Sequence, residues 1–189
     1  MIPPRVRLED AVTAIRPLTA SDLDALLELR IRNREFMEPY EPTRTDAFYT
    51  RGGQQRELDL DESAWRVGAG FAFAVLDRTD GDRLIGRVAL GNVVRGPWCN
   101  ATLGYWIDEH ANGRGHCTRA VLLTLRFAFE HAALHRVQPA IMPRNARSKR
   151  VAEKAGFRLE GRALRYLAIN GVWEDHDVYA MTLEEWRAR

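Results

Sequence analysis

The sequence predicts an α/β domain with a mixed, mostly antiparallel sheet of about six to seven strands and helices on both faces. Strand-like runs at 71–76, 84–94 and 100–108 are joined by short turns, which is typical of an antiparallel meander. A long apolar helix then leads to another strand at 136–142. Because a helical crossover joins them, the strands at 100–108 and 136–142 are expected to be parallel.

Composition narrows the class of protein. The chain is 46% hydrophobic and 29% charged, with a net charge of +2, so nothing in these totals argues for nucleic acid or an anionic membrane as partner. Cys99 and Cys117 are its two cysteines, which fits a reducing compartment without a disulfide framework. The sequence has neither a signal segment nor an apolar run of about 18 residues. We therefore expect a cytoplasmic protein.

The N-terminal third is predicted to contain a short edge strand at 14–18 and a helix that runs to about Asn33. Two prolines prevent residues 36–42 from continuing this helix. That proline-stiffened segment is either a pocket-lining loop or a structural corner. Residues 46–68 are expected to be helical, with a break near Gly52-Gly53.

The remaining elements follow from turn and cap signals. Residues 77–82 are typical of a hairpin turn, and the apolar helix is expected to end near Leu134. A further helix from Asn145 should stop at Gly156, because glycine is favoured just past a helix end. A strand at 157–169 is followed by a hairpin turn at Asn170-Gly171 and by the last strand at 178–181. A helical turn at 183–187 ends the predicted elements.

A glycine loop opens the apolar helix and reads Asn112-Gly113-Arg114-Gly115-His116-Cys117-Thr118. Unpaired N–H groups at such a helix start are suited to phosphate. A P-loop is excluded because its Lys-Ser or Lys-Thr pair is missing. A dinucleotide fingerprint would need a glycine where Thr118 stands and an acidic residue near 134–136. The loop is therefore expected to hold another phosphate-bearing ligand.

Motifs on either side of the loop resemble those of the GNAT acetyltransferase superfamily, whose pyrophosphate loop is Gln/Arg-x-x-Gly-x-Gly/Ala. Gly115 matches that pattern, whereas Asn112 and Cys117 depart from it. The accompanying motifs are Gly-Tyr-Trp-Ile at 104–107, Asn-x-x-Ser at 145–148 and Gly-Phe at 156–157.

A narrower resemblance is to the ribosomal-protein-alanine N-acetyltransferase branch. Residues 33–42 look like its acceptor loop, and residues 170–176 look like its C-terminal hairpin. The resemblance spans about residues 13–187, which we take as the core of a single N-acetyltransferase domain formed by residues 1–189.

The resemblance implies acetyl-CoA as co-substrate, without a metal, bound where two parallel strands splay apart. Ser148 is the implied catalytic residue, placed to donate a proton or hydrogen bond to the departing thiolate. Backbone groups of the strand and of the loop would hold the pantetheine and the pyrophosphate. The implied coenzyme-binding residues are Tyr105, Trp106, Ile107, Asp108, Gly113, Arg114, Gly115, His116, Cys117, Thr118, Arg119, Asn145 and Arg150.

Several of these residues also have ordinary structural explanations. Asn145 is a good helix N-cap, and serine is common in a first helical turn, where Ser148 falls. Cys117 is not expected to be a nucleophile, since direct amine attack on a thioester needs no covalent enzyme intermediate. The side chain of His116 is expected to face solvent.

The usual base of the family is a Glu two residues before the Gly-Tyr pair, and Thr102 stands there. An N-terminal α-amine has a pKa of about 7.7–8.0, against about 10.4 for lysine, so its neutral form is more abundant near pH 7. An α-amine acceptor is therefore favoured. The substitute bases or acceptor-binding groups are Glu38, Glu41, Glu109 and His176.

The sequence thus predicts acetyl transfer from acetyl-CoA to the N-terminal α-amine, alanine in that branch, of a ribosomal or other protein. A small-molecule amine acetyltransferase and a non-catalytic acyl-CoA-binding or ribosome-associated module are the alternatives. We expect a monomer or homodimer without membrane or direct nucleic-acid binding. Eight basic residues lie in the C-terminal third: Arg144, Arg147, Lys149, Arg150, Lys154, Arg158, Arg162 and Arg165. Three interpretations are open for them: a solvated surface, a contact with the 3′-phosphate of coenzyme A, or a contact with ribosomal RNA.

Overall fold

The sheet dominates the computed structural model, which describes Pro3 and residues 5–189. Nine strands occur within these residues: β1 (Leu8–Glu9), β2 (Thr13–Pro17), β3 (Phe71–Asp77), β4 (Arg83–Val94), β5 (Asn100–Ile107), β6 (Arg136–Gln138), β7 (Ala140–Ile141), β8 (Arg158–Ile169) and β9 (Val172–Thr182). Their order is β1-β2-β3-β4-β5-β6-β9-β7, and β8 also pairs with β9. The predicted mixed, mostly antiparallel sheet is confirmed, with β5 and β6 as the parallel pair.

The strand count is higher than the predicted six to seven for two reasons. A short strand, β1, precedes the predicted first strand. The predicted strand 136–142 is interrupted at Pro139, because proline has no backbone N–H to donate to a ladder. The pairing register with β9 is the same on both sides of Pro139, with Val137 opposite Met181 and Ala140 opposite Val178.

Helices cover both faces of the sheet. They are α1 (Leu23–Arg32), α2 (Arg34–Met37), α3 (Arg51–Val67), α4 (His116–Arg126), α5 (Ala146–Lys154) and α6 (Leu183–Arg187). None of these helices is long and apolar enough to cross a membrane.

The first helix, α1, ends at Arg32 with Asn33 as its C-cap, as predicted, but an unpredicted short helix follows at Arg34–Met37, before the first of the two prolines. Two other predicted boundaries were wrong. The break expected at Gly52-Gly53 falls instead at Thr50, whose hydroxyl accepts a hydrogen bond from the Gly53 N–H and caps α3. The apolar helix ends earlier than Leu134, since α4 passes into a π-helical turn at Phe127–His131.

The two faces of the sheet bury separate apolar clusters, as the alternation along β3 shows. Phe71, Phe73 and Val75 pack with α4 on one face, in the larger cluster. Ala72, Ala74 and Leu76 pack with α1 on the other. Successive side chains of a strand point to opposite faces. A cleft between two central strands would therefore connect the two faces of the sheet.

The parallel pair is short. β5 and β6 are in register from Asn100 opposite Arg136 to Thr102 opposite Gln138, where their ladder ends. The ladder between β5 and β4 continues to Ile107 opposite Gly86. A side chain at Gly86 would collide with the Trp106 carbonyl, so glycine is required for β4 to approach β5 there. The edge of β5 that faces β6 is therefore open beyond Thr102.

Phe127 offers a test of the core beneath this sheet. Its ring is fully buried, with centroids 4.8 Å from Phe73 and 5.6 Å from Trp65. Phe127→Ala should lower the free energy of unfolding by about 3–5 kcal/mol, measured by urea denaturation. The control Leu60→Ala, on an exposed side chain of α3, should change it by less than about 0.5 kcal/mol. Equal effects of the two variants would contradict this packing.

Candidate active site

A cleft opens where β5 and β6 part, and it consists of two adjoining cavities. The first, of about 500 Å³, lies between the glycine loop and α5 and is called the loop cavity. The second, of about 370 Å³, lies between β5, β7 and residues 36–44 and is called the inner cavity. They share five lining residues, Ile107, Asn112, Cys117, Arg147 and Val151, so the two cavities lie side by side.

The glycine loop presents backbone N–H groups to the loop cavity. Gly113 and Gly115 have φ of +79° and +84°, the left-handed region that side chains disfavour. Gly115 immediately precedes α4, whose first turn includes His116, Cys117 and Thr118. The N–H groups of a first helical turn have no acceptor within the helix and lie at the positive end of its dipole. This geometry suits an anion.

The side chain of His116 lies elsewhere, and the expectation that it faces solvent was wrong. Only 2% of it is exposed. Its Nδ1 is 2.9 Å from Thr13 Oγ1, and its Nε2 is 3.4 Å from Asp77 Oδ2. As the first residue of α4, it points from the loop into the sheet, where β2 and β3 supply these partners. The imidazole therefore fastens the loop to the sheet.

The basic residues predicted around the loop separate into two groups. Arg147, Arg150 and Lys154 of α5 line the loop cavity. Arg119 instead pairs with Asp10, at 2.9 Å, and Arg114 is exposed outside the set of cavity-lining side chains. The first group leaves positive charge along one wall of the cavity.

The other basic residues of the C-terminal third are mostly engaged in ion pairs. Arg144 pairs with Glu174, at 3.0 Å, and Arg158 contacts Glu160 and Glu185, both at 2.8 Å. Lys149 and Arg162 share Asp177, at 3.1 and 2.8 Å. Ion pairing of this kind is typical of a charge-balanced surface. The basic wall of the loop cavity therefore consists of Arg147, Arg150 and Lys154 of α5.

Tyr105 and Ser148 meet in the inner cavity. The Tyr105 hydroxyl is 2.9 Å from Ser148 Oγ, and burial raises the pKa of the phenol well above its ordinary value. The Ser148 N–H donates to Asn145 Oδ1 at 3.1 Å, so Asn145 caps α5 and fixes its first turn. These two hydroxyls come from a strand and a helix 43 residues apart, and no local pattern could have joined them.

Asp108 occupies a structural position at the end of β5. Its carboxylate is buried and accepts from Arg32 at 2.7 Å and from Asn33 Nδ2 at 3.0 Å. Its backbone N–H donates to the Ile85 carbonyl at 2.7 Å, and its carbonyl accepts from Ala111 N–H. The implied backbone contact of Asp108 with coenzyme does not fit these bonds, which turn the chain away from the strand edge.

As expected from the sequence, neither Cys117 nor Thr102 has the properties of a nucleophile or a base. Burial raises the pKa of the Cys117 thiol to about 12, which keeps it protonated at neutral pH. The Thr102 hydroxyl donates to the Gly91 carbonyl at 3.1 Å and lies 3.2 Å from Asn92 Nδ2. Neither side chain is available to accept a proton from an incoming amine.

The four substitute bases are distributed unevenly. Glu41 and His176 line the inner cavity, Glu109 lines the loop cavity, and Glu38 belongs to neither lining set. Glu41 is paired with Arg30 at 3.2 Å. His176 Nδ1 lies 3.0 Å from the Glu174 carbonyl, an acceptor, so this nitrogen carries the proton and Nε2 retains a lone pair.

Sequence reasoning missed the far end of the inner cavity. Arg30 of α1, Arg44 and Arg87 of β4 converge there beside Trp106. Their signal in the sequence is weak, because three separate elements supply them and arginine is common throughout this chain.

Comparison with known proteins places this geometry in a family. Residues 13–158 match the family model described as an acetyltransferase (GNAT) domain. The protein named "Probable N-acetyltransferase YjcK" from Bacillus subtilis (strain 168) is 41% identical, with 88% of this chain and 92% of that one covered. The ribosomal protein uS5-alanine N-acetyltransferase of Escherichia coli (strain K12) is 32% identical, with 97% and 94% covered.

Solved structures of acetyltransferases have the same fold as this protein. The crystal structure of the ribosomal-protein-S5-alanine acetyltransferase from Vibrio fischeri has a TM-score of 0.88 and 34% identity, covering 96% of this chain and 98% of that one. RimJ of Mycobacterium smegmatis, in complex with CoA-disulfide, has a TM-score of 0.87 and 28% identity, covering 92% and 83%. By sequence and by fold, this protein belongs to the GNAT acetyltransferase family and is an N-acetyltransferase related to the ribosomal-protein enzymes.

Proposed function

We propose that this protein transfers the acetyl group of acetyl-CoA to the N-terminal α-amine of a ribosomal or other cytoplasmic protein, by direct attack in a ternary complex. The observation that carries the proposal is the Tyr105–Ser148 hydroxyl pair, set in a cleft with an anion-binding loop at one end. The names of the relatives from Escherichia coli and Vibrio fischeri, both ribosomal-protein-alanine acetyltransferases, support the class of acceptor.

The loop cavity fits the phosphate end of the coenzyme. Backbone N–H groups from Gly113 to Thr118 would bind the pyrophosphate, and Arg150 and Lys154 would add positive charge from α5. The open edge of β5, from Leu103 to Ile107, would pair with the amide groups of the pantetheine as an added strand does. These interactions direct the thioester toward the inner cavity.

The chemistry then needs few protein groups. The amine nitrogen attacks the thioester carbonyl, a C–N bond forms, the C–S bond breaks and the thiolate departs. Desolvation raises the pKa of the half-buried Tyr105 phenol, so it is protonated at neutral pH and can donate to the departing sulfur, directly or through Ser148. Cys117 remains a thiol beside this site, which favours direct transfer over an acetyl-cysteine intermediate.

The acceptor amine must lose a proton without a carboxylate at position 102. An α-amine, with a pKa of about 7.7–8.0, supplies its neutral form near pH 7 far more readily than a lysine does. His176 Nε2 or water would take the proton after attack. Positioning against the thioester can supply much of the rate.

The choice of amine can be tested with two peptides. A peptide with a free alanine N-terminus should be acetylated at least about tenfold faster, by kcat/KM, than an N-blocked peptide that carries a lysine, because more of its amine is neutral at pH 7. Release of free thiol measures turnover, and mass spectrometry locates the acetyl group. A preference for the lysine peptide would refute an α-amine acceptor, and a preference for small amines would favour a metabolite acetyltransferase.

Tyr105→Phe tests the proton donor. The variant should lower kcat on the alanine peptide by about 100-fold while leaving the Kd of acetyl-CoA within about twofold, because only departure of the thiolate needs the hydroxyl. The matched control is Tyr179→Phe, which removes a buried phenol from the apolar cluster that Tyr105 packs against; Tyr179 lines neither cavity. Equal losses in the two variants would indicate damage to the core instead.

Gly113→Ala tests the loop. Forcing alanine into this left-handed backbone costs about 1–2 kcal/mol, so the KM for acetyl-CoA should rise roughly fivefold or more as the N–H groups shift. Gly96→Ala is the control, since Gly96 has a similar φ of +76° in a turn between β4 and β5 and lines neither cavity. It should lose comparable stability with an unchanged KM. A raised KM in both variants would contradict the assignment.

A further inference from the structure

We propose that the far end of the inner cavity is a binding site for a carboxylate carried by the acceptor substrate, formed by Arg30, Arg44 and Trp106. This inference rests on the proposed acetyl transfer and adds to it a chemical requirement on the acceptor. It concerns the sheet face opposite Tyr105, since Tyr105 and Trp106 are consecutive residues of β5 and point to opposite faces.

The cluster carries positive charge that the protein does not balance. Arg30 is paired with Glu41 at 3.2 Å, and Arg87 is paired with Asp61 at 2.6 Å. Arg44 has no carboxylate within ion-pair distance among residues 5–189. It is held instead over the ring of Phe48, with its guanidinium carbon 4.4 Å from the ring centroid. One guanidinium thus remains free for an anion.

The unbalanced charge of Arg44 lies beside a second guanidinium, that of Arg30, which is buried. Only 8% of Arg30 is exposed, and its guanidinium carbon lies 4.2 Å from the ring centroid of Trp106. Burial lowers the pKa of Arg30 to about 10; the Glu41 carboxylate acts in the opposite direction, and the charges of Arg87 and Arg44 lower the pKa further. At neutral pH the group is still a cation, so the cavity holds a cluster of mutually repelling guanidinium groups.

Hydrogen-bond donors in the cluster are also unsatisfied. The Nε atoms of Arg30 and Arg44 and the indole Nε1 of Trp106 are buried without an acceptor in the described part of the chain. A buried donor left unpaired costs about 1–3 kcal/mol. All three donors belong to residues that line one cavity, although the nitrogen atoms themselves are closed off from it. A small rearrangement of these side chains would expose the donors to an acceptor-rich ligand.

A carboxylate on the acceptor satisfies these conditions. Its two oxygens match the paired donors of a guanidinium, and its charge offsets that of Arg44. The phosphates of the coenzyme have their own basic wall, Arg150 and Lys154, in the other cavity. Because the inner cavity also holds Tyr105 and Ser148, its ligand must bring the amine to them and an anion to the arginines. An acidic side chain near a protein N-terminus, or the carboxylate of a small amino acid, meets that requirement.

The experiment uses peptides with a free alanine N-terminus and aspartate at the second, third or fourth position, each against its asparagine counterpart. For at least one position, the wild-type kcat/KM should be about tenfold higher with aspartate, which corresponds to about 1.4 kcal/mol. In Arg44→Gln that ratio should fall to about one. The control is Arg66→Gln, on an exposed arginine of α3 outside the cavity lining, which should keep the wild-type ratio.

A binding arm separates this inference from the proposed function. The N-acetylated aspartate and asparagine peptides are titrated by calorimetry into enzyme saturated with coenzyme A, without any turnover. If no peptide is acetylated but the aspartate peptide binds wild type and not Arg44→Gln, the carboxylate site stands and the protein acceptor is refuted. Free aspartate as the better substrate would have the same meaning. Equal turnover and equal binding of aspartate and asparagine peptides would overturn the carboxylate site, as would the absence of both turnover and binding.

Discussion

The parting of β5 from β6 after Thr102 is the constraint on which the rest of the site depends. β5 follows β4 to Ile107, whereas β6 and β7 follow β9. Because adjacent strands twist relative to one another, two strands held by different neighbours separate where their own ladder ends. The separation exposes a backbone edge, brings the two sheet faces into one cleft and places α5 beside the opening. A continuous ladder here would leave no room for coenzyme or acceptor.

Two buried polar networks hold the glycine loop against this opening from opposite sides. Asp108, which precedes the loop, is bound by Arg32 and Asn33 from the end of α1, and Asn33 Oδ1 also accepts from Glu109 N–H at 2.8 Å. His116, at its end, is bound by Thr13 and Asp77. Buried polar groups with all their partners present define a single geometry. The loop can therefore present N–H groups in fixed positions, which lowers the cost of binding.

The contacts of Thr102 and Cys117 explain how this chain differs from the family pattern at these two positions. Thr102 gives its hydroxyl to the neighbouring strand, so acetyl transfer must use an amine that ionises near neutrality or a proton acceptor elsewhere in the cavity. Cys117 is half-buried, and desolvation raises the pKa of its thiol to about 12, so it is a thiol rather than a reactive thiolate at neutral pH. Both ends of the cleft are basic, but different elements supply the charge. The basic residues of α5 line the loop cavity, whereas the arginines beside Trp106 line the inner cavity.

The sequence alone determined the features that short stretches of chain control. Left-handed glycines in the loop, the Asn145 cap and the Asn170-Gly171 turn, with φ of 44° and 79°, follow from local backbone preferences. Strand-like runs and short turns likewise predicted the mixed sheet, and the helical crossover between two strands predicted the parallel pair. Tertiary structure alone decided the burial of His116, the contact between Tyr105 and Ser148, and the meeting of Arg30 with Arg44. These side chains come from separate elements, and their contacts depend on strand order and on where a ladder ends. Such long-range packing leaves no periodic or local mark in the sequence.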